Sequence, residues 1–478
     1  MLPNYLFSAF LLYSICRARV QAQFPAACIE NDQLMARCCP SPDGTDLECG
    51  GGDRGECVEI FVHNNWPWKY FNNACVPGDG RLGWPRSLNM THHCKCKNNW
   101  AGPDCGDCAH GYVKTHNSCM PYSQPAVRKN VLTMTPNEWK NFHQALNDTK
   151  HTKSIYKVPI GYYNTLEGGA TSNLTFVDTN VYDFFVWLHH YASKDNTSPT
   201  TVIQCDFAHE GSGFLTWHRA LLLVVEHELQ RTQTGRSIDY PIMIPYWDWT
   251  DHTPASINKL FSNEMMGYSH NVTETKRPQR IGGVFSNWTT VCYKEGFPTK
   301  PTLGCLCDPR VSTGFLTRCL GCKDTLLHQT MDYLPRADDV KKVKNLAVVY
   351  DLFPWDKKPN IYSFRNSLEG FVNMSDIYEC GSGQNGELHV QVHWWMGGNV
   401  AELSSSPNDP MFWLHHCMVD RIFEEWLRMG WRKYHPTDGA HPGHNRDDWL
   451  MGIFPLATNG DMFKYSTKLG YDYDKLDC

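Results

Sequence analysis

Nine of the 22 histidines fall into two clusters. The first holds His189, His190, His209, His218 and His227, and the second His389, His393, His415 and His416. His389 and His393 stand four residues apart. On a helix this puts both imidazoles on one face with Cβ atoms about 5–6 Å apart, a spacing that suits two ligands on one metal. A single histidine on an aromatic helix is more often a satisfied core or surface residue, and His-x-x-x-His alone is a weak sign. Several histidines in aromatic, nearly charge-free segments are harder to explain in that way, because burying imidazoles without partners costs free energy. Metal ligation satisfies them, and an all-imidazole set suits copper, zinc or iron. The zinc-protease pattern is absent, since Val390-Gln391 stands where H-E-x-x-H requires Glu-x.

These residues must be positioned by helices. Periodicity and caps predict helices over 134–146, 182–191, 215–230, 387–395 and 411–429. The first is marked by Thr135-Pro136 and the last by Asn408-Asp409-Pro410, each a cap candidate followed by proline. His189 and His218 lie on separate predicted helices, with His209 in the loop before the second. His389 and His393 share a helix and His416 lies on the next. Two helices facing a pair form a bundle whose interior can hold metals. Ahead of them, residues 28–119 carry 11 cysteines among Gly, Pro and Asn, so one must pair outside the region or stay free. Cys94-Lys95-Cys96, with Gly102 and Cys105 following, has the spacing of the end of an EGF-like module. Cys105 and Cys108 form a C-x-x-C, and Cys305, Cys307, Cys319 and Cys322 a second cysteine-dense loop. In a secreted chain both are expected to be disulfide staples rather than redox or zinc sites.

The chain has 478 residues, 41% hydrophobic and 13% aromatic, with net charge −6. That is ample for a large core, and the absence of a basic stripe argues against a nucleic-acid partner. An apolar run over 5–15 followed by Val20-Gln21-Ala22 reads as a signal peptide spanning 1–22. Removing Cys16 with it leaves 20 of 21 cysteines. Sequons at Asn89, Asn147, Asn173, Asn196, Asn271, Asn287 and Asn373 predict N-linked glycans. No later apolar stretch is long enough to span a bilayer, so no membrane span is expected in the mature chain. The expected organisation is a signal peptide (1–22), a Cys-rich EGF-like domain (23–120) and a catalytic domain (121–478).

The surroundings of the histidines resemble the tyrosinase family. The resemblance is carried by Phe185-Val186-Trp187-Leu188-His189, Asp206-Phe207-Ala208-His209-Glu210, Trp217-His218-Arg219 and Pro245-Tyr246-Trp247-Asp248-Trp249. It continues through Phe364-Arg365-Asn366-Ser367-Leu368-Glu369-Gly370-Phe371, His389-Val390-Gln391-Val392-His393 and Asn408-Asp409-Pro410-Met411-Phe412-Trp413-Leu414-His415-His416. The cysteine-rich head, with Cys38-Cys39-Pro40, is similar to the animal, melanin-forming branch.

The resemblance implies a mainly α fold: a four-helix-bundle di-copper domain behind a disulfide-rich, EGF-like head. It implies two copper ions, one held by His189, His209 and His218 and the other by His389, His393 and His416, with His190 and His415 as neighbours. The implied chemistry is oxidation of o-diphenols to o-quinones with O2, and ortho-hydroxylation of monophenols such as tyrosine, on small phenolic substrates in melanin synthesis. The implied setting is the secretory pathway, either secretion or the lumen of a pigment-type organelle. Glu369 matches the family's buried carboxylate that holds a water near the second copper; its plainer role is a salt bridge to Arg365. Val390 replaces an Asn that in many members helps orient that water. Phe371 and Ser406-Pro407 match positions that shape the substrate entrance. Two other functions share such a frame: a zinc isomerase of a melanin intermediate and a non-enzymatic oxygen carrier. His415-His416, Pro245 to Trp249 and Phe371 look more like the oxidases, and the EGF-like head argues against the carrier.

Overall fold

The computed structural model describes residues 24–30, 37–61, 84, 90–160, 175–194, 206–268, 278–293, 307–321, 323–324, 329–330, 333–346, 349–351, 363–372, 387–430 and 432–477. The expected signal peptide, and the sequons other than Asn147 and Asn287, lie outside them.

The predicted helices are present with small shifts at their ends. Helix α1 is Pro136–Thr149, opened by a capping box in which Thr135 and Glu138 satisfy each other's backbone N–H groups. The box places Met134 outside the helix. Helix α2 (Val181–Ala192) is capped by the Asn180 side chain, and every one of its residues is buried. Helix α3 (Phe214–Arg231) follows Gly213. Helix α4 (Phe364–Glu369) ends at Gly370, whose φ of +113° and 2.1 Å approach of a would-be Cβ to the Glu387 carbonyl admit only glycine. Helix α5 is Leu388–Met396 and helix α6 Met411–Arg428. Helix α6 starts at Met411, as predicted. Pro410 occupies the cap position, and the Asp409 carboxylate accepts the Met411 N–H at 2.9 Å.

Four fully buried guanidiniums, those of Arg128, Arg219, Arg318 and Arg365, share the core with Trp187, Trp217, Trp247, Trp249, Trp413 and Trp426. Charges at that depth survive only when paired. Arg128 grips Glu226 of α3 through two bonds of 2.8 and 2.9 Å and Asp420 of α6 at 2.8 Å. Arg219 holds the other Asp420 oxygen at 2.5 Å and Glu424 at 3.2 Å. The hydroxyls of Tyr471 and Tyr473 donate to Asp420 as well. Strand Asp472–Tyr473 pairs in parallel with Val127–Arg128, so the C-terminal segment clamps the network from outside.

In the Cys-rich head, strands Arg37–Cys38 and Gly55–Glu59 flank His92–Cys96. Disulfides join Cys28–Cys38, Cys39–Cys57, Cys49–Cys94, Cys96–Cys105 and Cys108–Cys119. Cys105 and Cys108 therefore bond to different partners, as staples rather than a redox pair. The eleventh cysteine, Cys75, lies outside the described residues. In the later loop Cys292 bonds Cys307, and Cys319 is also disulfide-bonded. The head is tied to α3 by His110, 2.9 Å from Glu226, and by Asp107, paired with Arg231. Phe24–Pro25, ahead of the first disulfide, pairs instead with Tyr156–Lys157 of the larger region. Among the described residues no helix is long and apolar enough to cross a membrane.

Replacing Arg128 by Met leaves the Glu226 and Asp420 carboxylates buried without that partner. The substitution should cost about 3–5 kcal/mol of stability, read as a lowered denaturant midpoint of the metal-free protein. A midpoint within error of the natural chain would refute this account of the core.

Candidate metal centre

Both histidine clusters converge in the core. His189 lies near the end of α2, His218 in the second turn of α3, and His209 in the loop between them; one ring nitrogen of each lies within 4.8 Å of the others. His389 and His393 of α5 face His415 and His416 of α6 within the same limit. The two groups abut: the His218 and His416 rings stack with centroids 4.2 Å apart, and Phe412 lies 5.0 Å from His189 and 4.1 Å from His416.

The backbone sets how these rings present themselves. Nδ1 of His189 lies 3.1 Å from the Ser404 carbonyl, that of His218 2.9 Å from Phe214, that of His389 3.1 Å from Glu369 and that of His393 2.8 Å from Val400. A carbonyl only accepts, so in a neutral ring Nδ1 carries the proton and Nε2 presents a lone pair. Nε2 of His189 and of His218 has no hydrogen-bond partner. The Nε2 atoms of His389, His393 and His416 are 3.0, 3.3 and 3.4 Å apart. Between rings of this tautomer those approaches set lone pair against lone pair. A point equidistant from the three lies about 1.9 Å from each, close to the roughly 2.0–2.1 Å of a metal–imidazole bond. The arrangement fits a cation. His209 is placed by Asp206, whose Oδ1 accepts the backbone N–H groups of Ala208 and His209 at 2.8 and 2.6 Å and whose Oδ2 lies 3.3 Å from its Nδ1.

Burial, reinforced in most cases by neighbouring imidazoles, pushes His189, His218, His389 and His416 well below the usual histidine range. Burial also brings His393 down to about 4. The rings are thus neutral and ready to ligate at ordinary pH.

The remaining candidates are arranged as follows. His415 belongs to the second group and stacks on His389 with centroids 5.1 Å apart, but its nitrogens are not among the three that converge within 3.4 Å. Helical phase explains the difference from His416, which shares the inward face with Phe412 and Asp420. His190 falls in neither group, and His227 lines the cavity between α3 and the Cys-rich head. Glu369 is buried. One carboxylate oxygen accepts the Glu210 N–H at 2.5 Å and the other an Arg365 N–H at 2.8 Å, so the salt bridge anticipated from the i, i+4 spacing is present. Burial raises its pKa and Arg365 opposes the rise. Val390 and Phe371, both partly exposed, border Gly370. Ser406 is buried and donates to the Leu403 carbonyl at 3.0 Å.

Sequence reasoning missed the segment 400–404, whose Val400 and Ser404 carbonyls hold one histidine of each group. A backbone carbonyl carries no residue signature, so nothing in the sequence could have pointed to it. Asp206 had one: an Asp three residues before a loop histidine is an Asx-turn pattern.

These shifts predict a pH dependence. The folded metal-free chain keeps His393 neutral down to about pH 4 and His441 to about 3, whereas the unfolded chain protonates near pH 6.5. Protons therefore favour the unfolded state increasingly as pH falls below about 6.5, by up to about 1.4 kcal/mol per pH unit for each such histidine. The melting temperature of metal-stripped protein should hold above that pH and fall below it. A flat profile down to about pH 4.5 would show that the buried rings titrate normally.

A family model for the common central domain of tyrosinase matches residues 179–429. A laminin EGF domain model matches residues 68–122. The tyrosinase of Canis lupus familiaris is 36% identical over 467 residues, covering 95% of this chain and 82% of that protein. The tyrosinase of Gallus gallus is 35% identical over 486 residues, 99% and 85% of the two chains. The 5,6-dihydroxyindole-2-carboxylic acid oxidase of Mus musculus is 30% identical over 496 residues, 99% and 86%. Among solved structures, a polyphenol oxidase from Thermothelomyces thermophila is similar with a TM-score of 0.46 at 18% identity, covering 73% of this chain and 89% of that one. Both histidine groups lie inside the matched central domain, and the likeness to animal tyrosinases runs nearly end to end: the chain belongs to the tyrosinase family.

Proposed function

We propose that this protein is a copper-dependent phenol oxidase of the tyrosinase type, converting o-diphenols to o-quinones in melanin synthesis. The observation that carries the reading is two adjacent groups of buried imidazoles, each with ring nitrogens within 4.8 Å of one another, in a chain of this family. One copper would be held by His189, His209 and His218 and a second by His389, His393 and His416. Bound there, the copper pair supplies the redox chemistry by which two diphenols give up four electrons to one O2, yielding two quinones and two waters. The carbonyls of Ser404, Phe214, Glu369 and Val400 orient four of the six rings. Phe214 and Phe412 pack among the rings and exclude water.

Glu369 is the proton acceptor of this reading. A carboxylate has about four lone-pair directions, and Glu210 and Arg365 take one on each oxygen, leaving capacity for a water that receives a phenolic proton. Val390 offers that water no side-chain partner, while Phe371 and Ser406 belong to the walls of the substrate entrance. Signal-like residues 1–22, the sequons and the disulfides support passage through the secretory pathway, with N-linked glycans added on the way.

Purified protein should contain two coppers per chain and consume oxygen with catechols. Two zincs and no oxygen uptake would overturn the oxidase reading in favour of an isomerase, and copper with reversible O2 binding but no turnover would favour a carrier. Hydroxylation is expected to be the slower activity. A phenol pKa of about 10 demands help with deprotonation, and a positioned base contributes on the order of 10² to 10⁴ in rate. Val390→Asn should therefore raise monophenol turnover relative to catechol turnover. Equal, fast oxidation of both by the natural chain, unchanged by the substitution, would remove Val390 from control of that step.

A further inference from the structure

His444 lies 235 residues after His209, in a C-terminal loop with no part in either histidine group, and it is fully buried. Its ring spans the two ends of the loop that carries His209. The Gly213 N–H donates to its Nδ1 at 2.9 Å, and its Nε2 lies 2.6 Å from the Asp206 carbonyl. An amide N–H only donates and a carbonyl only accepts, so Nδ1 must be the bare nitrogen and Nε2 the protonated one. This is the opposite tautomer from that of the four carbonyl-held rings. His444 is thus arranged to be held, not to ligate, and it closes residues 206–213 into a ring through its own imidazole.

That loop needs such a closure. It has no regular secondary structure, and Glu210 sits at φ +62°, a conformation a non-glycine residue keeps only when its surroundings impose it. At its far end Gly213 is the residue before α3, so the Gly213 N–H is one of the helix's unpaired donors. The fit is tight from both sides. A Cβ on Gly213 would lie 2.9 Å from the Gly443 carbonyl and 3.0 Å from His444 Nδ1, and one on Gly443 would lie 2.7 Å from the Phe207 ring. The His444 loop is itself fixed. Asp448 accepts the Gly443 and Asn445 N–H groups at 2.9 and 3.0 Å, Asn459 donates to the Gly443 and Asn445 carbonyls at 2.8 Å, and the Tyr434 hydroxyl donates to the His444 carbonyl at 2.9 Å. Thr216 of α3, two residues before His218, binds Asn459 and so joins the same buried network.

We infer that His444 is a positioning residue for the first histidine group: it sets the place of His209 relative to His218 by bonding both ends of the intervening loop. The inference rests on the copper reading of that group. Groups bonded directly to a ligand, as Asp206 is to His209, change metal affinity by about tenfold to a hundredfold when lost, and His444 acts one step further out by holding Asp206 and Gly213 in place.

The test compares His444→Leu, which fills the space without hydrogen bonds, with His444→Gln, whose amide oxygen and NH2 can replace both bonds. The Leu variant should fold and keep the copper of the second group. It should lose that of the first to a competing chelator at about tenfold to a hundredfold lower chelator concentration. Copper per chain then falls from two towards one, and the remaining lone Cu(II) becomes visible by electron paramagnetic resonance. In metal-free protein, the amides of 206–213 should exchange faster in the Leu variant than in the natural chain. The Gln variant should match the natural chain in both measurements. Three outcomes overturn the inference: a Leu variant with two coppers and natural exchange, a Leu variant that unfolds or loses both coppers equally, or a Gln variant that behaves like Leu. A natural chain that takes up no copper counts against the oxidase reading instead, and the exchange comparison in metal-free protein still decides what His444 does.

Discussion

A buried imidazole lone pair facing other lone pairs is unfavourable unless a proton or a cation stands between them, and several such lone pairs meet in the interior of this protein. Burial holds the rings neutral, and backbone carbonyls hold the protons on Nδ1 for His189, His218, His389 and His393. The Nε2 atoms are thereby aimed inward, and the usual escape by protonation is closed at neutral pH. Much else in the structure serves to keep this arrangement from relaxing. Helix α2 is buried over its whole length and α6 from Met411 to Leu427, so neither can rotate its histidines towards water without dragging apolar surface out of the core.

Rigidity comes from buried charge as much as from apolar packing. Arg128, Arg219 and Arg318 each join segments far apart in the chain. Arg128 and Arg219 meet at Asp420 of α6, one turn beyond His416. Arg318 clasps both oxygens of Asp409 just before α6 begins. Arg365 bridges Asp351 and Glu369, and Glu369 supports both groups at once, its carboxylate holding the His209 loop through Glu210 and its carbonyl holding His389. Buried ion pairs add little net stability, because desolvation offsets their attraction. What they do here is fix the register of α3, α4 and α6, on which the nitrogen positions depend.

The Cys-rich head obeys a different constraint. With few apolar residues it has a small core of its own, built largely from its disulfides and Trp100, as small secreted modules generally do. It joins the helical region through polar contacts from His110 and Asp107 to α3, and its Cys28, Cys38, Ile60, Trp84 and Met90 are continuous with the larger hydrophobic core.

Local features of this protein were legible in the sequence because they depend on near neighbours. The Thr135-Pro136 and Asn408-Asp409-Pro410 start signals and the i, i+4 pair His389 and His393 act over a few residues, so the five predicted helices lie within a few residues of where they form. The cysteine spacing around Cys94 to Cys105 reported an EGF-like module for the same reason. Quoted motifs around the histidines carried the family resemblance but not the geometry. Only the tertiary structure decided that His416, not His415, brings its Nε2 to within 3.4 Å of those of His389 and His393. It alone decided that Val400 and Ser404 hold a ring from each group, that Glu369 ties the two groups together, and that His444 closes the His209 loop from 235 residues away. These contacts join segments without any periodic relation in the chain, and several use backbone carbonyls, which every residue possesses, or N–H groups, which every residue but proline possesses. A sequence records where side-chain types recur; it does not record which carbonyl will lie 3 Å from which ring once the core has closed.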